Sequence, residues 1–235
     1  MLVLTGAGIS AESGIPTFRG KEGYWRNLDP TKLATAEPFE RDPDTVWQWY
    51  RERRARVHAA LPNPAHEALV KLAAHSADFL LLTQNVDDLH GRAEWEGRRL
   101  PAGPIVQVHG DLFGTACSRC DFSRQETDED AQGVPMCPIC GAPMRPGVVW
   151  FDEELDPRNV ERVERYIAQP CDVVLVVGTT AAFDYIVRWA RVAAGTAGRI
   201  IEINPDQTGF SRFATTVVRD RAAVALPGIV DALIS

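Results

Sequence analysis

Short apolar runs recur along the chain, and each ends in small or polar residues. Leu2-Val3-Leu4 leads into Thr5-Gly6-Ala7-Gly8, and Phe79-Leu80-Leu81-Leu82 into Thr83-Gln84-Asn85-Val86-Asp87. Ile105-Val106-Gln107-Val108 leads into His109-Gly110, Val173-Val174-Leu175-Val176-Val177 into Gly178-Thr179-Thr180, and Ile200-Ile201-Glu202-Ile203 into Asn204-Pro205-Asp206. Runs without alternation, most of them rich in β-branched residues, fit parallel strands buried on both faces. Helical patterns lie between them. Asn63-Pro64 opens one, as cap and first-turn proline, with Ala68, Leu69 and Leu72 at helical spacing. Asp156-Pro157 opens another, carrying Val160, Val163 and Ile167, and a third begins near Asp42-Pro43. Strands alternating with helices predict an α/β fold built on an open, doubly wound parallel sheet. Ligands of such sheets bind outside the carboxyl ends of the strands, so the polar turns should converge on one site. A lone Gly-Thr-Thr or Asn-Pro-Asp would be ordinary loop chemistry; five such turns on one edge argue for a site.

A chain of 235 residues has room for one sizeable domain, or a large domain with a smaller one inserted. Its 32 acidic and 25 basic residues leave a net charge of -7, which disfavours general nucleic-acid or membrane-surface partners. No apolar run approaches the roughly 20 residues of a membrane span. Leu2-Val3-Leu4 runs straight into a glycine turn without a secretory pattern, so the chain is expected to begin inside its own fold. Five cysteines, four of them in two CxxC pairs, suit a reducing cytoplasm and a metal better than disulfides. The expected location is cytoplasmic.

Gly6-Ala7-Gly8-Ile9-Ser10 follows the first strand, and Ala11-Glu12-Ser13-Gly14 continues toward a helix start. Glycines there let backbone N–H groups approach a pyrophosphate. The spacing falls short of G-x-G-x-x-G, and alone it fits a structural turn as well. Ile15-Pro16-Thr17-Phe18-Arg19-Gly20 then puts an aromatic and an arginine in a loop where neither has an obvious packing role. Cys117-x2-Cys120, sixteen residues, then Cys137-x2-Cys140 is a stronger signal. Two knuckles supply four thiolates to one structural zinc and leave no open coordination position. Asp121, Glu126, Asp128, Glu129 and Asp130 between the knuckles would repel phosphates, against a DNA-reading ribbon. Cys171 lies outside the set and reads as a packed core thiol.

As a set, these motifs resemble the sirtuins, the NAD-dependent protein lysine deacylases. The resemblance rests on residues 6–20, on Thr83-Gln84-Asn85-Val86-Asp87-Asp88-Leu89-His90, on Val108-His109-Gly110, on the paired knuckles and on Pro146-Gly147-Val148-Val149-Trp150-Phe151. It implies a Rossmann-like domain from residues 1–20, 62–110 and 146–235, a helical module over 21–61 and a zinc module over 111–145. It also implies that Gly6, Ala7, Gly8, Ser10, Glu12, Ile15, Phe18, Arg19 and Trp25 wrap the pyrophosphate and nicotinamide end of NAD, a consumed co-substrate. Asn85 and Asp87, with Val86, match the nicotinamide pocket, and Gln84 a ribose contact. Gly178, Thr179, Thr180, Asn204, Pro205, Asp206 and Ala222 match the adenosine side. By the same resemblance His109 is the general base, and Val149, Trp150 and Phe151 clasp the substrate backbone. On chemical grounds an imidazole with a pKa near ~6.5 can take that proton at cellular pH. The implied partners are acylated lysine side chains of proteins, with no membrane and no nucleic acid, and the expected state is a monomer.

In the helix near Asp42-Pro43, Val46, Tyr50, Arg53 and Val57 share one face. An arginine in an apolar stripe should be paired, whereas Arg51, Arg54 and Arg56 lie off it and read as solvated. Tyr50-x-x-Arg53 matches the pair by which the desuccinylase and demalonylase branch recognises an acidic acyl chain. Arg53 could instead pair with an internal carboxylate. The resulting expectation is removal of succinyl and malonyl groups, and also acetyl. Mono-ADP-ribosyl transfer from the same site, and a silent NAD- or zinc-binding module, are the alternatives. Three stretches depart from the family: Asp152 where glycine is usual, Ala181-Ala182-Phe183-Asp184-Tyr185 after Thr180, and Glu94 to Gly103.

Overall fold

A computed structural model describes residues 1–17 and 33–235; Phe18, Arg19 and Trp25 lie outside the described residues. Six parallel strands form the main sheet: β1 (Leu2–Thr5), β2 (Leu80–Thr83), β5 (Ile105–Gln107), β9 (Val173–Val177), β10 (Arg199–Ile203) and β11 (Thr216–Val218). Two short strands, β3 (Glu94–Trp95) and β4 (Arg98–Arg99), make a hairpin, and β6 (Gly110–Cys117), β7 (Ser123–Gln125) and β8 (Met144–Val148) make an antiparallel sheet. The helices are α1 (Ala36–Arg41), α2 (Pro43–Ala59), α3 (Pro64–Ala74), α4 (Leu89–Arg92), α5 (Pro157–Ile167), α6 (Asp184–Ala194) and α7 (Ala222–Ile234).

The main sheet runs β11-β10-β9-β1-β2-β5. The chain winds outward from β1 in one direction and from β9 in the other, so the strand order reverses between these two. The unbroken apolar runs serve two faces at once. Leu2, Leu4, Leu80, Leu82, Val174 and Val176 pack on Trp189 and Ala193 of α6 and Val163 and Ile167 of α5. Val3, Leu81, Leu175 and Val177 meet Leu69 and Leu72 of α3 and Leu226 and Val230 of α7. Truncating any such leucine to alanine costs about 2–5 kcal/mol, so the frame behind the turns is rigid. Thr5 stands opposite both Thr83 and Val177, and Ile203 opposite Val177. Gly6, Gln84, Gly178 and Asn204 therefore leave the sheet at one edge, beside the reversal point where ligands bind.

Helix starts follow the expected chemistry. The Asn63 side chain accepts from the Ala65 N–H at 2.9 Å while His66 Nδ1 accepts from the Asn63 N–H at 3.3 Å. Asp42 accepts from Thr45 N–H and Asp156 from Arg158 N–H, each just before a proline. The Glu94 to Gly103 stretch opens with the β3–β4 hairpin, turned by Glu96 and Gly97 at φ of 50° and 71°.

In the second layer, Phe39, Val46, Trp47 and Tyr50 pack against Leu112, Phe113, Val148 and Trp150. This corrects the reading of Arg54 as solvated: its side chain is 2% exposed. Helix α2 is covered on two sides, by the core and by the β6 sheet, and a one-stripe reading misses the second cover. Arg54 donates to the Leu112 and Gly114 carbonyls, both at 2.8 Å, to Thr115 Oγ1 at 3.1 Å and to Asp130 Oδ2 at 2.9 Å. Burial raises the Asp130 pKa, but hydrogen bonds from Arg124, Thr115 and Arg54 outweigh it and hold the carboxyl below its ordinary value. Arg51 is also drawn in, donating to the Gly133 carbonyl at 3.1 Å, whereas Arg56 is exposed as expected. Cys171 is buried in the core beneath α6. Among the described residues no helix is long and apolar enough to cross a membrane.

Candidate active site

Two backbone turns interlock at the reversal point. Gly6 N–H donates to the Val177 carbonyl at 3.0 Å and Gly8 N–H to the Gly178 carbonyl at 2.8 Å. Gly178 adopts φ +60°, and a Cβ there would lie 2.5 Å from Ile9 N and 2.8 Å from Gly8 Cα. Only glycine lets these turns approach so closely. Glu12 ties the glycine loop to the start of α7, accepting from the Ala223 N–H at 2.8 Å.

In front of the turns lies a cavity of about 1020 Å³, at the upper end of small-molecule sites. Gly6, Ala7, Gly8 and Glu12 line one side of it, and Gln84, Asn85, Val86 and His109 its floor. Gly178, Thr179, Thr180, Asn204, Pro205, Asp206 and Ala222 line the far end. Asn204 Nδ2 donates to the Thr179 carbonyl at 3.1 Å and its Oδ1 accepts from Asp206 N–H at 3.1 Å, joining two turns into one wall. Gln84 Nε2 reaches Thr179 Oγ1 at 2.9 Å.

Ser10, Ile15 and Asp87 stand apart, around a smaller cavity of about 50 Å³ that Ala7, Asn85 and Val86 also line. Ser10 Oγ donates to Asp87 Oδ2 at 2.9 Å and accepts from Asn85 Nδ2 at 3.1 Å. Burial pushes the Asp87 carboxyl up to about 6. His66, in the first turn of α3 and not singled out by the sequence, lies 3.5 Å from Ser10 Oγ, and burial holds its imidazole down at about 4. Its ring is 4.9 Å from that of His90, which is bonded to Thr5 Oγ1 at 3.0 Å and kept neutral by burial. Ser10 Oγ thus stands between Asp87 and a neutral imidazole.

His109 follows β5. Its Nδ1 lies 2.9 Å from the Gln84 carbonyl, an acceptor only, so Nδ1 carries the proton of the neutral ring. Burial lowers its pKa against the opposing pull of that bond. The backbone carbonyl of His109 accepts from Val149 N–H at 2.8 Å, and Gly110, at φ +82°, has no room for a Cβ, which would lie 2.3 Å from the Gly147 carbonyl. His109 and the Val149-Trp150-Phe151 segment are thus laced together, and all three residues of that segment line the main cavity. Phe151 is half exposed at its rim. Two residues that drew attention only as a divergence complete the wall: Phe183 meets the His109 ring edge-on at 5.5 Å, and Tyr185 Oη lies 2.5 Å from His109 Nε2.

Tyr50 and Arg53 line the same cavity. Tyr50 is buried and its hydroxyl accepts from Trp150 Nε1 at 3.1 Å. The Arg53 guanidinium rests 4.7 Å from the Trp49 ring centroid and 5.4 Å from that of Tyr50. Asp152, which departs from the usual glycine, is not among the residues lining the cavity: its carboxylate accepts from Ala36 N–H at 3.0 Å, at the start of α1.

Cys117, Cys120, Cys137 and Cys140 are reduced, with their sulfurs all within 4.8 Å of one another. Cys117 and Cys140 sulfurs are 3.5 Å apart, and those of Cys120 and Cys137 3.6 Å. A tetrahedron with Zn–S bonds of ~2.3 Å has edges of about 3.8 Å, so the set fits a structural zinc. Cys117 Sγ also accepts from the N–H groups of Arg119 and Cys120, which orient the knuckle. The thiolates lie at the far end of β6 from His109-Gly110, so the metal would hold the fold and take no part in the chemistry.

Comparison with known proteins gives the same picture. A family model described as the Sir2 family matches residues 6–184. The chain is 40% identical over 231 residues to an NAD-dependent protein deacylase of Archaeoglobus fulgidus, covering 98% of this chain and 91% of that protein. It is 43% identical over 224 residues to an NAD-dependent protein deacylase of Thermus thermophilus, covering 94% and 85%. The solved complex of a Sir2 homologue with NAD superposes with a TM-score of 0.87 at 39% identity, over all of this chain and 90% of the other. The fold agrees with these matches, and the chain belongs to the Sir2 family.

Proposed function

We propose that this Sir2 enzyme uses NAD to remove acyl groups from protein lysines, releasing nicotinamide and O-acyl-ADP-ribose, with succinyl and malonyl groups preferred and acetyl accepted. NAD-dependent deacylation is the activity of its named relatives. The observation carrying the acyl preference is that Arg53 and Tyr50 line the cavity that holds His109 and Asn85. Arg53 lies over indole and phenol faces at the cavity wall, and a guanidinium there has the fork geometry to take a carboxylate in a bidentate pair. Because Tyr50 already accepts from Trp150, its own proton is left to donate to that carboxylate.

When bound, NAD supplies an electrophilic ribose carbon and a nicotinamide leaving group. This chain's residues do the rest. The interlocked turns at Gly6–Gly8 and Gly178–Thr180 offer close backbone approach for the pyrophosphate, and Asn204 to Asp206 with Ala222 flank the adenosine half. Ser10, Ile15, Asn85 and Asp87 enclose the nicotinamide. His109, neutral and fixed as the Nδ1–H tautomer by Gln84, takes the ribose proton in the acyl-transfer step. Val149, Trp150 and Phe151 clasp the peptide by strand addition.

Incubation with NAD and succinylated or acetylated peptides, followed by mass spectrometry, tests the reading. Free lysine peptide with O-succinyl-ADP-ribose is the expected result. ADP-ribosylated protein would mean a transferase, and absence of NAD turnover would mean a silent binding module.

A further inference from the structure

The lone pair of His109 lies on Nε2, since Nδ1 is protonated against the Gln84 carbonyl. That nitrogen already has a partner, Tyr185 Oη at 2.5 Å. The phenol must be the donor, because neutral Nε2 has no proton and burial raises the phenol's pKa, so that it keeps its own. Its ring is held in place: it stacks on Phe183 at 5.4 Å and 19°, meets Trp189 at 5.0 Å, and rides on the first turn of α6. Tyr185 lines the main cavity together with His109. A hydroxyl in that cavity meets a base whose lone pair is taken, beside a phenol oxygen that can still accept.

We propose that Tyr185 is a catalytic proton relay between substrate and His109: a substrate hydroxyl presented in the cavity gives its proton to Tyr185 Oη as the phenol's proton passes to His109 Nε2. One O–H bond breaks on the substrate while one forms on the phenol. The phenol's original O–H bond breaks as the N–H bond forms. The electron pair stays on the substrate oxygen, which becomes the nucleophile, and this step leaves tyrosine unchanged and the imidazole as imidazolium. This proposal rests on His109 being the general base.

Tyr185→Phe keeps the stacked ring and removes only the hydroxyl. With melting temperature as a folding check, its kcat should fall on the order of 10²-fold while KM for NAD and for acyl-peptide stays within about threefold. A second readout needs no NAD. Diethyl pyrocarbonate attacks the free imidazole lone pair, so His109, followed by peptide mass mapping, should be modified several-fold faster in Tyr185→Phe, where Nε2 is uncapped. A kcat within about threefold of wild type, or above it, would overturn the relay and make the phenol a cap that swings away. Unchanged modification of His109 would equally overturn it. His109→Asn, assayed alongside, separates the two claims. If it is inactive while Tyr185→Phe is fully active, only the relay fails; if it keeps full rate, the base assignment fails and the relay with it.

Discussion

Arg54→Met keeps most of the stem that fills the space between α2 and β6 and deletes the guanidinium. That group, 2% exposed, makes four hydrogen bonds, to Leu112, Gly114, Thr115 and Asp130. After the change two carbonyls lose their donors, at about 1–3 kcal/mol for each buried group left unsatisfied. Breaking a buried ion pair from one side costs about 3–5 kcal/mol. Asp130 is only partly orphaned, because Arg124 still donates at 2.7 Å and Thr115 at 2.6 Å. The net expectation is about 3–4 kcal/mol. At about 2–4 °C per kcal/mol for a domain of this size, the melting temperature drops by ~10 °C. Thermal and urea denaturation should agree, with a lower midpoint and an unchanged slope. Adding Asp130→Leu should recover part of the loss, since it removes the buried charge that Arg54→Met strands. A shift under about 2 °C in Arg54→Met would refute the argument that this arginine ties α2 to the cysteine-bearing sheet.

Asp87 has its ordinary value of 3.8 when unfolded and about 6 when folded. The folded state therefore binds more protons in that window, and stability should fall by up to about 3 kcal/mol as pH rises through it. Asp87→Asn should flatten the profile and stabilise the protein at neutral pH while cutting turnover; parallel pH–stability curves for the two proteins would contradict this. Removing zinc with a chelator should unfold the four-cysteine module and abolish activity, by circular dichroism and by turnover; a metal-free protein that stays folded and fully active would overturn the structural role. Gly178→Ala places a Cβ 2.5 Å from Ile9 N at φ +60°, so calorimetry should show NAD affinity reduced at least about tenfold, against the 1–2 kcal/mol the left-handed backbone alone costs; unchanged affinity would mean that the two turns do not form the NAD cradle.

Where one local rule acted, the chain was readable. The apolar run Val173–Val177 is a strand to the residue, because a strand buried on both faces needs every position apolar. Asn63-Pro64, Asp42-Pro43 and Asp156-Pro157 open helices because cap and proline chemistry involve only neighbouring residues. Strand β11 at the sheet edge, Thr216–Val218, escaped notice since it is short and mostly exposed and so carries no buried run. β6 mixes glycines, an aspartate and a threonine, and its strand character comes from pairing with β8 rather than from its own residues. Arg54 was misread because its burial depends on a second layer 58 or more positions away. Tyr185 was visible as a departure, yet its bond to a histidine 76 positions earlier exists only once α6 packs across β9 and β1 and brings its first turn to His109. His66 was hidden for the same reason, its tie to Ser10 spanning 56 positions.

The proposed reading of an acidic acyl group by Arg53 is tested by Arg53→Met, through kcat/KM for succinyl- and acetyl-lysine versions of one peptide. A lost charged hydrogen bond is worth about 1.5–3 kcal/mol, so desuccinylation should fall about 10–100-fold while deacetylation changes less than about threefold. Desuccinylation surviving the substitution at full rate would contradict the account.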